Sequence, residues 1–357
     1  MSSRTHPYFG RPDYQFWKSA SGSRLSSELD PVVSTSFRIN SDAKIVTAGS
    51  CFAQHVARHL SQAGFTHHVT EPGHPIISKE ARDAFNYGVF SARYGNIYTA
   101  RQLHQLLKRA YGLFTPVEQA WTRTGGGVVD PFRPQIQPEG FLHEEELSAD
   151  RMQHFACVRR AIEEMNVFVF TLGLTECWMD RRDGAVFPLA PGIAGGIYDE
   201  GKYTFHNMDV AETVEDMNAS FGLIRARNPD ARFIVTVSPV PLNATALPRH
   251  VVVSTTYSKS VLRVAAEQIC STWPQADYFP SYEIITAPTV RGAYFADDSR
   301  TVTEAGVEHV MRNFLKHYGS AATAPMKKPE FPQEDAHKTE MEKIVRALCD
   351  EEAISNR

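Results

Sequence analysis

The sequence predicts an α/β protein built on a doubly wound parallel sheet, flanked by helices in a flavodoxin-like three-layer arrangement with loop insertions. Short β-branched or apolar runs (Ile45-Val46-Thr47, Val167-Phe168-Val169-Phe170 and Arg232 to Val237) alternate with helical periodicities along the chain. The run from Val167 to Phe170 is apolar on both faces, as a central parallel strand must be when helices cover both sides of its sheet. The loops that carry polar and small residues follow strands, where an open α/β sheet places its ligands.

The opening unit is Lys44 to Leu60. Its strand ends at Ala48-Gly49-Ser50-Cys51, and Phe52, Val56 and Leu60 then recur on one helical face. Gly49 permits a sharp turn, and the first helical amides lie at the positive end of the dipole, where an oxyanion is stabilised and a thiol ionises more readily. Ser50 and Cys51 are therefore both nucleophile candidates. Taken alone, a small-residue turn of this kind also occurs in α/β proteins of every function.

A short second strand is expected over Phe65 to Thr70. Thr99 then caps a helix whose stripe is Leu103, Leu106 and Leu107, and Gly95-Asn96 ahead of it form either an oxyanion donor pair or a structural turn. A helix over Ala149 to Met165 feeds the central strand, after which Thr171 to Trp178 make a second small, polar loop beside the first. His206 lies in a loop-like stretch, either as a base or as a histidine that ties the loop down, the structural role being favoured on these residues alone. A helix at Val210 to Arg227, the strand Arg232 to Val237, a helix opened by Tyr257-Ser258-Lys259, the strand at Ala276 to Phe279 and a helix at Thr303 to Tyr318 complete the order.

These elements set the organisation. Residues 1–34 form an aromatic, proline-bearing arm packed on the domain, 35–320 form the domain with insertions at about 115–150 and 180–208, and 321–357 form a charged tail with a helix expected at 341–352. A net charge of −4 gives no global attraction to nucleic acid, so no nucleic-acid partner is expected. No stretch is long and apolar enough for a membrane span, and the first ten residues lack a secretory core, which makes the cytoplasm the expected location. The 5 cysteines are odd in number without a CxxC pair and read as reduced thiols, and the 14 histidines show no metal-ligand spacing.

Six blocks in order, TAGSCFAQ at 47–54, Gly95-Asn96, SPV at 238–240, SK at 258–259, YFPSYEI at 278–284 and YFADD at 294–298, resemble the GSCFA-domain family. That family is similar to the SGNH (GDSL-type) hydrolases, and the resemblance runs from roughly residue 35 to 320. It implies a nucleophile at Cys51 or, with the turn shifted by one residue, at Ser50. It implies oxyanion or substrate contacts from Gly95, Asn96 and the segment Gly173-Leu174-Thr175-Glu176, with Thr175 standing where the group has asparagine. The last block, DxxH, keeps Asp298 and has Thr301 in place of histidine. His206, or His309 on the following helix, is then the replacement base; otherwise Cys51 works with less help, or the site binds without turnover.

The function expected on this resemblance is acyl-ester chemistry, by an esterase or an O-acyltransferase, on a small-molecule or glycan ester. No cofactor is required, with acetyl-CoA as donor in the transferase case. The alternative is a glycan- or acyl-ligand-binding module that has lost the DxxH histidine, in which aromatics such as Tyr87, Phe90, Tyr94 and Tyr98 serve sugar stacking.

Overall fold

The structure, a computed structural model, describes residues 6–21, 26–320 and 354; the tail helix expected at 341–352 lies outside the described residues. A short helix α1 (Trp17–Ser21) precedes the first unit, β1 (Lys44–Gly49), α2 (Phe52–Gln62) and β2 (Thr66–His67). Next come α3 (Lys79–Ala84) and α4 (Ala100–Ala110), then a hairpin of β3 (Trp121–Thr122) and β4 (Val128–Val129). The middle of the chain is α5 (Glu144–Glu164), β5 (Val167–Leu172), β6 (Glu176–Asp180), β7 (Val186–Phe187), β8 (Tyr203–Asn207) and α6 (Val210–Arg225). It closes with β9 (Arg232–Val237), α7 (Val251–Thr272), β10 (Ala276–Tyr278), α8 (Ser281–Thr286) and α9 (Glu304–Tyr318).

The main sheet is 5-stranded and parallel, in the order β10-β9-β5-β1-β2. From β1 the chain moves to one edge and then returns to place β5 on the other side of β1. This makes the β1–β5 junction the topological switch point, where the loops leaving the two strands part and open a crevice.

Alternation along each strand divides the core between the two faces. Val46, Ala48, Phe168, Phe170, Phe233 and Val235 pack against α4, α5, α6 and α7, whereas Ile45, Val167, Val169 and Ile234 pack against α2, α8 and α9. Phe168 and Phe170 are fully buried. Truncating either to alanine removes roughly 3–5 kcal/mol of stability, so the strands that carry the crevice are firmly held.

Several boundaries differ from the sequence expectation for local reasons. The second strand shrinks to two residues because the Thr70 amide donates to Ser91 O at 2.7 Å instead of joining the ladder. Helix α5 begins earlier, with Glu144, Glu145 and Glu146 in its first turn facing the positive dipole end. Helix α7 begins at Val251, its N-cap His250 accepting from the Val252 amide, so its β-branched opening hides the true start and Ser258-Lys259 sit in mid-helix. The stretch at 180–208 is only partly irregular, since β8 pairs antiparallel with β6.

The N-terminal arm meets the domain through its second half. Leu29 O accepts from His309 Nε2 at 2.8 Å and Asp30 accepts from Lys316 Nζ at 2.6 Å, both partners on α9. Tyr8, Phe9 and Trp17 are exposed.

Candidate functional site

At the carboxyl end of β1 the chain turns at Gly49, whose φ of +137° is open only to glycine. A β-carbon there would lie 2.3 Å from Thr171 O on β5. The close approach carries Ser50 across the switch point: its amide is 3.4 Å from Thr171 O, and a β-carbon on Gly173 would meet the Ser50 Cβ at 3.0 Å. Ser50 is 3% exposed, and its hydroxyl has no hydrogen-bond partner among the described residues. The Thr171 hydroxyl is in the same condition.

Cys51 is the N-cap residue of α2 and is buried. The next amides are partly committed: Ala53 N donates to Ser50 O at 2.8 Å and Gln54 N to Cys51 O at 3.2 Å. They close the turn rather than point outward as sequence reasoning expects of a helix start.

The loop before α4 lies over both strand ends. Ile97 N donates to Gly49 O at 2.8 Å, and Tyr98 O accepts from Gly173 N and Leu174 N at 3.1 and 2.8 Å. Asn96 is buried, its Oδ1 accepting from Gln54 Nε2 at 3.1 Å, and Gly95 turns beside it with φ +70°. The structure therefore gathers Ser50, Cys51, Gly95, Asn96 and Gly173 around the switch point. It also spends the Gly173 amide on Tyr98.

The other expected residues are engaged elsewhere. Thr175 Oγ1 donates to Asn207 Oδ1 at 2.7 Å, and its amide donates to Ser258 Oγ. Glu176 accepts from Thr245 Oγ1 at 2.6 Å and from Ala246 N, which fastens the loop ahead of α7. His206 Nε2 donates to Glu212 Oε1 at 2.7 Å, and Glu212 also holds Arg101. Asp298 accepts from the amides of Arg300 and Thr301 and, at 2.6 Å, from Thr301 Oγ1. Thr301, in the DxxH histidine position, thus closes the carboxylate on its own turn. His309 accepts from Tyr294 OH at 2.8 Å while donating to Leu29, so it pins the arm. Ser50 Oγ hydrogen-bonds neither histidine.

Two features were not legible as site residues. Lys259 is buried on α7 and donates from Nζ to Gly173 O at 2.7 Å, supporting the second loop from beneath. The sequence signal was the Ser258-Lys259 pair, expected at the start of a helix and found in the middle of α7.

The second feature is a cavity of about 950 Å³ between α2, the loop before α4 and the 121–138 insertion. Gln54, His55 and Arg58 of α2 line it, together with Gly95 and Asn96. Burial, then the Arg58 charge, pulls the His55 pKa down to about 4, leaving it neutral at pH 7. The available signal was the polar stripe Gln54, His55, Arg58 and Ser61 on an otherwise apolar helix. Among the described residues no group of His, Cys, Asp and Glu has metal-binding geometry, and no helix is long and apolar enough to cross a membrane.

The GSCFA family model matches residues 44–314, from β1 to within α9. No curated protein matches the chain.

Proposed function

The chain belongs to the GSCFA family, and from that premise we propose that it is a ligand-binding member of an SGNH-like fold, recognising a glycan or acyl ligand without turning over an ester. The observation that carries this reading is Ser50: its hydroxyl is buried and meets no base among the described residues. A serine hydroxyl needs an adjacent base to attack at neutral pH. The carboxylate that would orient such a base, Asp298, is occupied by Thr301, and His206 is occupied by Glu212. The crevice geometry persists and the proton path does not. A cytoplasmic location belongs to the same reading, supported by the unpaired thiols of Cys157, Cys177 and Cys270.

One observation favours a second reading. Cys51 holds the N-cap position of the 11-residue α2, at the positive end of the helix dipole, and a thiolate attacks without a strong base. In that reading Cys51 Sγ attacks an O-acyl carbonyl and expels the alcohol. The thioester then passes its acyl group to water; in a transferase drawing on acetyl-CoA, Cys51 Sγ instead attacks the acetyl-CoA carbonyl, CoA leaves as its thiol, and the acetyl group passes from the Cys51 thioester to an acceptor hydroxyl, whose proton goes to solvent.

Intact-protein mass spectrometry after brief exposure to p-nitrophenyl acetate separates the two. The binding reading expects no adduct that Ser50→Ala or Cys51→Ala selectively removes, under conditions that label a known esterase. A stoichiometric acetyl adduct lost only in Cys51→Ala establishes the second reading, and one lost only in Ser50→Ala restores a serine enzyme.

A further inference from the structure

A second, much smaller cavity lies between Gln102 and Arg109 of α4, Phe132 and Arg133 of the 121–138 insertion, and Phe155 of α5. Arg109 is 8% exposed, and its guanidinium carbon lies 3.7 Å from the centre of the Phe132 ring and 5.1 Å from that of Phe155. The ring faces attract the cation but accept none of its in-plane N–H groups. Among the described residues no group accepts a hydrogen bond from the guanidinium nitrogens, yet each of them keeps open surface. Gln102, two turns earlier on the same face of α4, adds a donor. Its Oε1 accepts from the amides of Tyr98 and Thr99, both at 2.9 Å, which fixes the orientation of the side chain. Its Nε2 also keeps open surface and has no acceptor among the described residues.

The surrounding charges leave Arg109 unmatched. Arg93, Arg133 and Arg151 pair with Glu71, Asp130 and Asp150 at 2.8 to 3.9 Å, three cations against three carboxylates. His154, bonded to Glu71 at 2.8 Å, stays neutral at pH 7 because burial pulls its pKa down. Arg109 is the fourth cation of the group, and among the described residues no Asp or Glu lines the space it borders. Burial first, opposed by Asp130 and reinforced by Arg151 and Arg133, brings its pKa down to about 9, so it is still charged at pH 7. A buried charge is stable only when paired. The free space is about 20 Å³, where one water-sized sphere needs roughly 10–15 Å³. It takes one monatomic ion and excludes a phosphate, a sulfate or a carboxylic acid.

We propose that this small cavity binds one halide ion, chloride, against the Arg109 guanidinium, with Gln102 Nε2 as the further donor on the same wall. The ion balances the fourth cation and ties the insertion to α4. Phe132 and Arg133 also line the larger cavity beside α2, so the halide steadies that cavity's wall. The site is independent of whether Ser50 or Cys51 turns over an ester.

Urea unfolding of the full chain at constant ionic strength, with sodium gluconate replaced stepwise by sodium chloride, tests it. Gluconate is too large for the space. Chloride stabilises the wild type saturably, raising the folded-to-unfolded ratio about tenfold at roughly ten times its dissociation constant. Arg109→Met removes the cation and abolishes this dependence. Should that variant misfold, Gln102→Glu keeps the side-chain acceptor that caps α4 and replaces the free donor by a fixed negative charge, so its stability no longer depends on chloride either. Equal stability of the wild type in chloride and gluconate overturns the proposal and leaves the space to a water molecule. Chloride stabilisation that persists in Gln102→Glu, or in a folded Arg109→Met, overturns the site and places the ion elsewhere.

Discussion

Gly49 on β1 and Thr171 on β5 face each other in the parallel ladder, with no room at residue 49 for a β-carbon, which would lie 2.3 Å from the Thr171 carbonyl oxygen. The obstacle is backbone, which cannot swing aside, and the φ of +137° is itself closed to other residues. Gly49→Ala is expected to destabilise the fold by at least about 2 kcal/mol, read as a lower urea midpoint. Wild-type stability in this variant would mean that the two strands part more easily than the ladder implies.

The neighbouring Ser50 gives the opposite sign. Its hydroxyl is buried without a partner among the described residues, so folding strips it of water and they return nothing. Ser50→Ala should leave stability unchanged or raise it by up to about 1 kcal/mol. A loss of that size or more would reveal a hydrogen bond at Ser50 in solution and strengthen the serine-enzyme reading.

The wall that the 121–138 insertion gives to the cavity beside α2 depends on Asp130. It is fully buried between Arg133 and Arg151, whose guanidinium nitrogens lie 3.0 and 3.3 Å away. Burial opposes its ionisation, but the two arginines outweigh this and hold it well below the usual carboxylate range. Asp130→Ala leaves Arg151 without a carboxylate and Arg133 with Asp150 alone, and should cost about 3 kcal/mol. Because Arg133 also lines the cavity, the same change should open the hairpin region to trypsin at Arg123. Cleavage no faster than in wild type would show that the insertion is held by other contacts.

The sheet was legible because it is written locally. Val167 to Phe170 is apolar on both faces, and Gly49 marks a turn that side chains forbid. The resemblance likewise pointed to the loops that gather at the switch point. What escaped depends on partners distant in sequence. Thr175 looks like a donor until Asn207 is brought beside it, and Asp298 looks like half of a dyad until Thr301 closes on it. The cavity beside α2 escaped for the same reason. On one helix, Gln54, His55 and Arg58 are only a polar stripe, and it takes the insertion packed over them to make a cavity.

The last prediction concerns pH and the arm. His309 is 1% exposed, accepting from Tyr294 OH at Nδ1 and donating to Leu29 O at Nε2. Burial, then the nearby Arg312 charge, depresses its pKa to about 4 from 6.5. The unfolded chain therefore takes up a proton near pH 6.5 that the folded chain refuses until about pH 4. Stability from this residue is full above pH 6.5 and is lost as pH falls toward 4, at about 1.4 kcal/mol per unit. His55 and His67, both also held near 4 by burial first, act in the same direction. Protonation of His309 at Nδ1 also ends its acceptance from Tyr294, so acid should loosen the arm segment held at Leu29. Urea unfolding at pH 8 and pH 5 should show a steep loss in wild type and, in His309→Gln, a loss smaller by about 2 kcal/mol. Equal losses in the two proteins would place the acid sensitivity elsewhere and leave His309 as a tether without a titration.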